Sequence, residues 1–360
     1  MIGTIGIIGV NGEIGKLCYK ALKDYGITNI KAGVRDKELL KSSFDLNYEF
    51  IDLLDKDSCF CFAKKCDCII NCSSASKEGI YNIVESVELT KGMLVDLTYY
   101  ENINLPKIKN SVICHGVGVS PGLTEAIPKI LSKEFDEITT FKLYYIVMDT
   151  FSYSSAYAYL KYMNSDSIYP LTEIQDGKLV PSLYNNPLEI AEISDGKVRQ
   201  ITYMDDRVIS ICKELKILNS KFTICIPDGH TYKLLTSGKL KSGDIEEQAL
   251  KLVNASILDQ GNSEPYCCFL IDIEGVFDEM ESNSCLSIRA ESSLKLTALV
   301  STAVSILMLK YDNEIGLYDM FHYKHIYKLL ETIKEVDKGV YISMIRDKSI
   351  ADLGPLEGEI

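Results

Sequence analysis

The 360-residue chain lacks several features, and each absence excludes a class of protein. It has no excess of basic residues: 38 Lys and Arg face 51 Asp and Glu, a net charge of −13. Binding to the backbone of DNA or RNA requires clustered positive charge, so we predict no nucleic-acid partner. It also has no apolar run of the ~20 residues that span a bilayer. The longest run, 296–309, is shorter and includes Ser and Thr, so we predict no membrane anchor.

The N-terminal residues lack the basic segment that opens a secretory signal peptide. Residues 1–8 instead run directly into a glycine motif that needs a folded strand. We therefore expect a cytoplasmic protein in which the twelve cysteines are reduced. With 46% apolar and 25% charged residues the composition is that of a globular protein. The length suits two domains.

Five of the cysteines are close together in the sequence, namely Cys59, Cys61, Cys66, Cys68 and Cys72. Zinc sites use two closely spaced pairs separated by a longer spacer, and these spacings do not fit that pattern. Burial as small apolar side chains explains them better. We expect His322 and His325 on the solvent face of a helix, and we predict no metal site.

The first third of the chain alternates short apolar strands with helices. Strands are predicted over 5–8, 27–34, 48–51, 67–72, 93–97 and 112–115, and helices over 16–25, 58–65 and 81–90. Near-continuous apolar strands that alternate with helices are typical of a parallel sheet covered on both faces. We therefore predict an α/β protein with a Rossmann-type doubly wound sheet in a first domain, 1–122.

The pattern changes from residue 137 onward. Strands are predicted over 139–146, 198–203, 222–226, 266–275 and 285–290, with a helix over 154–163. This order indicates a second, α+β domain with a mixed, largely antiparallel sheet, 123–290, for substrate binding and oligomerisation. Its tyrosines at 153, 157, 159 and 162 suit ordinary packing, a substrate pocket or a subunit interface. We expect a homodimer.

A glycine motif, G-x-x-G-x-x-G, follows the first strand. Gly9 lets the chain turn sharply, Gly12 leaves room for a pyrophosphate, and Gly15 allows the helix to pack closely on the strand. The N-terminus of that helix offers N–H groups and the positive end of its dipole. An ordinary turn is the alternative. We predict a dinucleotide site with contacts from residues of this segment: Gly9, Asn11, Gly12, Glu13, Ile14 and Gly15.

The end of the second strand distinguishes the two nicotinamide cofactors. An acidic residue there binds the ribose 2′-OH of NAD, whereas an Arg accommodates the 2′-phosphate of NADP. Arg35 favours NADP, although Asp36 follows at once and would suit NAD after a shift of one residue. Arg35 could equally be a solvated turn residue. We predict NADP, with NAD as the alternative.

Ligands of open α/β sheets bind beyond the carboxyl ends of the strands. This rule adds Asn71, Cys72 and Ser73 as cofactor contacts. It also places three candidate proton donors at the same edge: His115 first, because it titrates nearest neutrality, then Tyr99 and Asp96. Each has a structural alternative, since His115 can bond only to backbone, Asp96 can cap a turn and Tyr99 can simply pack.

Ser120, Pro121 and Gly122 suit the start of a helix, with Ser120 as its cap. The free N–H groups of such a start bind carboxylates and amides, so this segment is a candidate substrate site. A helix cap without a ligand explains the three residues equally well.

Several segments resemble, in their order along the chain, the saccharopine dehydrogenase-like oxidoreductases, which have an N-terminal NADP-binding domain. They are the glycine motif, 33–36, 50–52, 68–73, 94–99, 115–123, 296–298 and 315–317. The resemblance adds Asp52 and Gly116 to the cofactor contacts. It also implies that the C-terminal segment, 291–360, returns to the first domain.

The resemblance implies an NADP-dependent oxidoreductase. Its small-molecule substrate would be an imine, a secondary amine or a carbonyl compound related to an amino acid. One alternative is a reductase for a carbonyl compound unrelated to amino acids. Another is an NADP-binding protein that senses redox state or regulates a partner without turnover.

Overall fold

The computed structural model describes residues 3–38, 46–100, 103–182, 188–189, 197–237 and 244–350. The chain divides into two compact units. The first comprises Met1–Ile130 and Leu294–Val340. The second comprises Leu131–Ser293 and Tyr341–Ile360.

The strands, in chain order, are β1 (Ile5–Ile8), β2 (Ile30–Val34), β3 (Tyr48–Phe50), β4 (Cys68–Asn71), β5 (Met93–Asp96), β6 (Val112–His115), β7 (Glu137–Met148), β8 (Ile168–Pro170), β9 (Thr172–Gln175), β10 (Lys178–Pro181), β11 (Leu188–Glu189), β12 (Lys197–Asp205), β13 (Asn219–Pro227), β14 (Tyr266–Phe277), β15 (Met280–Ala290), β16 (Gly316–Tyr318) and β17 (Tyr341–Arg346). The α-helices are α1 (Glu13–Asp24), α2 (Lys56–Ala63), α3 (Lys77–Thr90), α4 (Thr124–Leu131), α5 (Tyr153–Met163), α6 (Asp206–Glu214), α7 (His230–Thr236), α8 (Ile245–Gln260), α9 (Ser293–Lys310) and α10 (Leu329–Val336).

The first unit is built on a parallel sheet of seven strands. Their order across the sheet is β16, β6, β5, β4, β1, β2, β3. After β3 the chain crosses to the other side of β1, so β1 lies between β2 and β4. The two strands that follow β1 are added on one side of it, and β4 and the strands that follow are added on the other. In open α/β sheets the ligand site lies at this crossover. The predicted Rossmann-type sheet is confirmed.

The core of the first unit follows from the apolar strands. Every residue of β1 and β4 is buried, as the near-continuous apolar pattern predicts for a sheet covered on both faces. On one face, α2 and α3 pack together over Ile69, with Phe62 and Ile83 at their contact.

The apolar helix α9 is long enough to be a candidate membrane span, but 67% of it is buried inside the protein. Two of its serine hydroxyls are satisfied within the fold, since Ser301 donates to the carbonyls of Thr297 and Val117, and Ser305 to that of Thr302. This burial is that of a core helix in a globular unit, as we predict from its length.

The second unit contains a mixed sheet of ten strands. β7 pairs in parallel with β13 and antiparallel with β14, and β14 forms a long hairpin with β15. The predicted mixed sheet is confirmed. The helices α6, α7 and α8 were not predicted from the sequence. At α6 and α8 the cap is an Asp side chain, Asp205 and Asp244, that accepts from a backbone N–H of the first turn.

Three sequence predictions need correction. The segment 123–130, which includes most of α4, belongs to the first unit and not the second. The segment 291–360 does not return as a whole to the first unit, because β17 pairs antiparallel with β15 in the sheet of the second unit. His322 and His325 both lie in turns and not on a helix. The Nδ1 of His322 is 2.8 Å from the carboxylate of Asp319, and the Nε2 of His325 is 2.8 Å from the carbonyl oxygen of Asp312.

Gly15 is a position where the fold tolerates no side chain. A Cβ there would lie 2.7 Å from the Cα of Val10 and closer still to the carbonyl oxygen of Gly9. We expect Gly15→Ala to lower the free energy of unfolding by about 1–3 kcal/mol, the usual effect of overpacking. Urea denaturation measures this loss. Gly92→Ala is the control, because its Cβ would meet nothing nearer than 3.6 Å; equal losses in both variants would contradict the explanation.

Candidate functional site

The glycine loop connects β1 to α1 at the crossover of the sheet. Gly9 has a φ of +77°, and a Cβ there would lie 3.2 Å from the backbone nitrogen of Ser73. The loop that follows β1 therefore lies directly against the loop that follows β4. Two of the predicted cofactor segments, 9–15 and 71–73, meet at this point.

The helix α1 begins at Glu13 without a side-chain cap. Gly12 is exposed, and the only atom near its missing Cβ is the carbonyl oxygen of Gly9, at 3.3 Å. Asn11 and Glu13 on either side are also exposed, and Ile14 is partly exposed. A helix start with no carboxylate or hydroxyl cap keeps its N–H groups available to an anion.

The end of β2 presents positive charge. Arg35 is exposed directly after the strand. Asp36 instead accepts a hydrogen bond from the backbone N–H of Glu38 at 2.9 Å, so its carboxylate closes the turn. The ammonium of Lys37 lies 4.7 Å from the ring centre of Phe50. The carboxylate of Asp36 therefore has a local structural role in the turn, whereas the guanidinium of Arg35 is exposed beside it.

Asp52 lies two residues after β3 and shapes the turn that follows. Its carboxylate accepts from the backbone N–H of Leu54 at 3.1 Å, and its own N–H donates to Ser58 Oγ at 2.9 Å. The side chain is partly exposed.

A buried network links β4 to β5. Asp96 has no exposed surface, and its Oδ2 accepts from Asn71 Nδ2 at 3.0 Å and from the Tyr100 hydroxyl at 2.8 Å. Its Oδ1 accepts from the N–H of Thr98 at 2.8 Å. Asn71 is equally buried, and its Oδ1 accepts from the backbone N–H and hydroxyl of Ser73. Both predicted site residues thus lie beneath the surface, where they hold the strand ends in place.

Burial governs the protonation of this network. It raises the pKa of Asp96, and the hydrogen bonds from Asn71, Thr98 and Tyr100 oppose that rise. Burial and the neighbouring Asp96 carboxylate also raise the pKa of Tyr100 well above its usual value. The phenol therefore stays protonated and serves as a donor. Of the two interpretations left open for Asp96, the structure shows the turn cap.

His115 lies at the end of β6, next to Asp96 at the end of β5. Its ring stacks on that of Tyr100 with centroids 4.7 Å apart, and Tyr99 approaches edge-on at 5.1 Å. Its Nδ1 accepts from the backbone N–H of Tyr100 at 3.3 Å. A neutral imidazole that accepts at Nδ1 carries its proton on Nε2. The partly exposed ring is thereby held in the tautomer that donates from Nε2.

Cys72 has a partner that the sequence did not indicate. Its sulfur lies 3.8 Å from that of Cys18, on α1. The hydrogen bond with Cys18, together with burial, raises the pKa of the Cys72 thiol. Cys72 is partly exposed beside the glycine loop, but as an uncharged thiol.

The predicted substrate segment has a different structure from the one expected. Ser120, Pro121 and Gly122 are non-helical, with φ of +127° at Gly122, and α4 begins only at Thr124. The backbone N–H of Gly122 donates to the buried carboxylate of Glu125. Ser120 therefore does not cap the helix, and the N–H of Gly122 is not free for a ligand. The Ser120 side chain is exposed.

Gly116 is needed for its backbone. Its φ is +65°, its N–H donates to the carbonyl of Thr98, and a Cβ would lie 2.8 Å from the ring of Tyr99.

Three residues of the site, Tyr100, Cys18 and Glu125, were absent from the sequence predictions. No sequence signal separates Tyr100 from Tyr99, because only the turn after β5 decides which ring faces Asp96. Within the described residues no group of metal-binding side chains occurs.

A solved structure of the apo saccharopine dehydrogenase (L-Glu forming) from Saccharomyces cerevisiae superimposes on the chain with a TM-score of 0.68 and 12% identity, over 96% of this chain and 100% of that one. The chain has the fold of a saccharopine dehydrogenase. The predicted resemblance is thus confirmed at the level of the fold. No protein-family model and no curated protein matches the sequence, so the saccharopine dehydrogenase fold is recognised here by its three-dimensional structure.

Two further structures match with lower TM-scores. They are the C. glutamicum DAP dehydrogenase in complex with DAP, with a TM-score of 0.47, 11% identity and 92% and 96% of the two chains covered, and an engineered D-amino acid dehydrogenase bound to NADP⁺, with 0.45, 11%, 92% and 95%.

The Tyr100 hydroxyl is one of three donors to a buried carboxylate. We expect Tyr100→Phe to lower the free energy of unfolding by about 1–3 kcal/mol at neutral pH, because Asp96 loses that donor. Since burial raises the pKa of Asp96 in the folded state, the native protein takes up a proton there before the unfolded chain does. Protonation of Asp96 in acid removes the charge that lacks its third donor. The difference in the free energy of unfolding between Tyr100→Phe and the unmodified protein therefore becomes smaller as the pH falls through that pKa.

Urea denaturation of both proteins over a series of pH values, from neutral to acid, measures this difference. Tyr81→Phe is the matched control, since Tyr81 is exposed on α3. A loss in Tyr100→Phe that does not vary with pH would show that the hydroxyl does not act through the charge of Asp96.

Proposed function

We propose that the chain is an NADP-dependent oxidoreductase that acts on an imine, a secondary amine or a carbonyl group of an amino-acid-related substrate. One observation carries the proposal: the uncapped start of α1 lies at the crossover of the sheet, behind an exposed glycine, Gly12, whose missing Cβ would lie 3.3 Å from the carbonyl oxygen of Gly9. The N–H groups of that helix start are suited to a pyrophosphate, which a side chain at position 12 would exclude.

The charge at the end of β2 supports NADP over NAD. Arg35 is exposed, and Asp36 uses its carboxylate on the N–H of Glu38. A ribose 2′-hydroxyl would need that carboxylate, whereas a 2′-phosphate is suited to the guanidinium. Lys37 adds a second positive charge on the same turn.

NADPH, when bound, supplies a hydride. The reaction also needs one proton, on nitrogen for an imine or on oxygen for a carbonyl, and the chain must orient the substrate. His115 is the proposed hydrogen-bond donor to that atom, because the N–H of Tyr100 holds its Nδ1 as an acceptor and the neutral ring keeps its proton on Nε2. Solvent supplies the proton that the product retains. Asp96 and Asn71 act as positioning residues, since they fix Tyr100 and the ends of β4 and β5 from below.

The substrate class rests on the fold alone. The yeast protein that shares it is a saccharopine dehydrogenase, whose name denotes an amino-acid-derived secondary amine. An amino or oxo acid partner is therefore the first class to test. The exposed hydroxyl of Ser120, on the turn after β6, is the proposed substrate contact of the segment 120–122.

A redox sensor without turnover is the second candidate, and the proximity of Cys18 and Cys72 is the observation in its favour. Oxidation of a thiol proceeds through its thiolate. The mutual hydrogen bond and burial raise the pKa of Cys72, so little thiolate exists at neutral pH. The contact between the two thiols therefore disfavours a sensor that reacts quickly with oxidants, and an oxidoreductase is the function that we propose. A homodimer and a cytoplasmic location stay predictions.

Nucleotide binding is tested by the fluorescence of NADPH on titration with protein. We expect tight binding by the unmodified chain and none by Gly12→Glu, because the carboxylate would occupy the pyrophosphate position. Arg35→Ala should weaken NADPH by about tenfold or more while it leaves NADH unchanged, since only NADPH has the 2′-phosphate. Equal effects on both nucleotides would contradict the role of Arg35, and no binding at all would refute the function.

The role of His115 is tested by NADPH oxidation with paired amino and oxo acids. We expect His115→Asn to lower kcat by about a hundredfold, the typical contribution of one positioned hydrogen-bond donor to developing charge, with NADPH affinity unchanged. His322→Asn is the control, because His322 is an exposed turn residue. Tight NADPH binding without oxidation by any pair would instead favour the sensor.

A further inference from the structure

An aromatic ring holds a lysine at the carboxyl ends of β2 and β3. The ammonium of Lys37 lies 4.7 Å from the centre of the Phe50 ring. Phe50 is the last residue of β3 and pairs with Val34, the last residue of β2. The backbone N–H of Ile51 donates to the carbonyl of Val34 at 2.9 Å, so the two strand ends are tied together. Lys37 therefore folds back over the neighbouring strand, beside the turn that carries Arg35.

The turn between Arg35 and Lys37 is itself closed. Asp36 Oδ1 accepts from the backbone N–H of Glu38 at 2.9 Å, which fixes the backbone from which both cationic side chains extend. Arg35 and Lys37 are exposed, and Phe50 is partly exposed. At such a site a ring favours the folded-back position of an ammonium by about two- to fivefold. The side chain of Lys37 is thus restrained where an exposed lysine would otherwise sample many rotamers.

Two other lysines of the same strands are held in a different way. The ammonium groups of Lys31 and Lys65 both contact the carboxylate of Glu49, at 3.3 and 2.5 Å. A carboxylate orients a lysine and also neutralises it, whereas a neutral ring orients the ammonium and leaves its charge intact. The contact with Phe50 therefore keeps the charge of Lys37 available to an anion.

Ordinary packing is the alternative explanation, because lysine side chains often cover apolar surface at the edge of a protein. The location of the contact argues for more. Ligands of open α/β sheets bind at the carboxyl ends of the strands, and the end of the second strand is where NADP is distinguished from NAD. A ring that only packs would affect the stability of the fold and not the choice between two nucleotides.

We propose that Phe50 is a positioning residue for recognition of the 2′-phosphate of NADPH. It holds the ammonium of Lys37 beside Arg35, so the strand end presents two oriented positive charges. A phosphate monoester carries almost two negative charges at neutral pH, which one guanidinium does not balance. Phe50 acts through Lys37 and not by contact with the nucleotide. This inference rests on the proposed function, because its ligand is the proposed cofactor.

The test compares the dissociation constants of NADPH and NADH, each measured by nucleotide fluorescence on titration with the full chain. Phe50→Leu keeps an apolar side chain and removes the ring. It should weaken NADPH by about threefold and leave NADH unchanged, because only NADPH has the 2′-phosphate. Phe50→Tyr retains the ring and should bind both nucleotides as the unmodified protein does.

Tyr48→Leu is the matched control. Tyr48 lies two residues before Phe50 on β3, on the same face of the strand and also partly exposed. Its replacement removes an aromatic ring from this strand and leaves the contact between Lys37 and Phe50 in place. The ratio of the NADPH and NADH dissociation constants should stay at the value of the unmodified protein.

A double-mutant cycle tests whether the ring acts through the lysine. Lys37→Met should weaken NADPH by about fivefold and leave NADH unchanged, since it removes one charge from the phosphate site. In the Lys37→Met background, Phe50→Leu should have no further effect on NADPH. A ring with a merely structural role would instead add its own effect to that of Lys37→Met.

Three results would overturn the proposal. One is an unchanged nucleotide ratio in Phe50→Leu. Another is an equal loss of NADPH and NADH affinity, which would indicate that the ring contacts the adenine or supports the fold. The third is an effect of Phe50→Leu that persists in full without Lys37. If Phe50→Leu does not fold, Phe50→Ile replaces it, because a β-branched residue suits a strand.

The same titrations separate this inference from the proposed function. An unmodified protein that binds neither nucleotide removes both. A protein that binds NADPH tightly and responds to Arg35→Ala, but is indifferent to Phe50→Leu, keeps the proposed cofactor and loses only the role of Phe50.

Discussion

A single buried carboxylate organises the ligand-facing edge of the first sheet. Asp96 has no exposed surface, yet it accepts hydrogen bonds from Asn71, Thr98 and Tyr100. An ionised group in such a place is tolerated only when its oxygens are satisfied, so the ends of β4 and β5 and the turn after β5 must adopt one geometry. The ring of Tyr100 then supports His115. The orientation of His115 therefore depends, through Tyr100, on the carboxylate of Asp96.

The glycine loop obeys a steric constraint at the same edge. Gly9 lies against Ser73, and Gly15 lies against Val10, each too closely for a side chain. These approaches bring the start of α1 to the crossover between β1 and β4. Since α1 has no side-chain cap, its N–H groups face solvent at the place where open α/β sheets bind ligands. Close packing and the proposed anion site thus depend on the same glycine loop, Gly9 to Gly15.

The sequence by itself determined the local features of this protein. The apolar strands predicted the parallel sheet, and the glycine spacing with Arg35 at a strand end predicted a candidate nucleotide site, because strand burial, loop sterics and formal charge depend on neighbouring residues. Only the tertiary structure decided that Tyr100 and not Tyr99 contacts Asp96, that Glu125 occupies the N–H of Gly122, and that β17 joins the second sheet. Those contacts join residues through turn geometry, helix starts or distant strand pairing, and hydrophobic periodicity along the chain carries no information about which donor meets which acceptor.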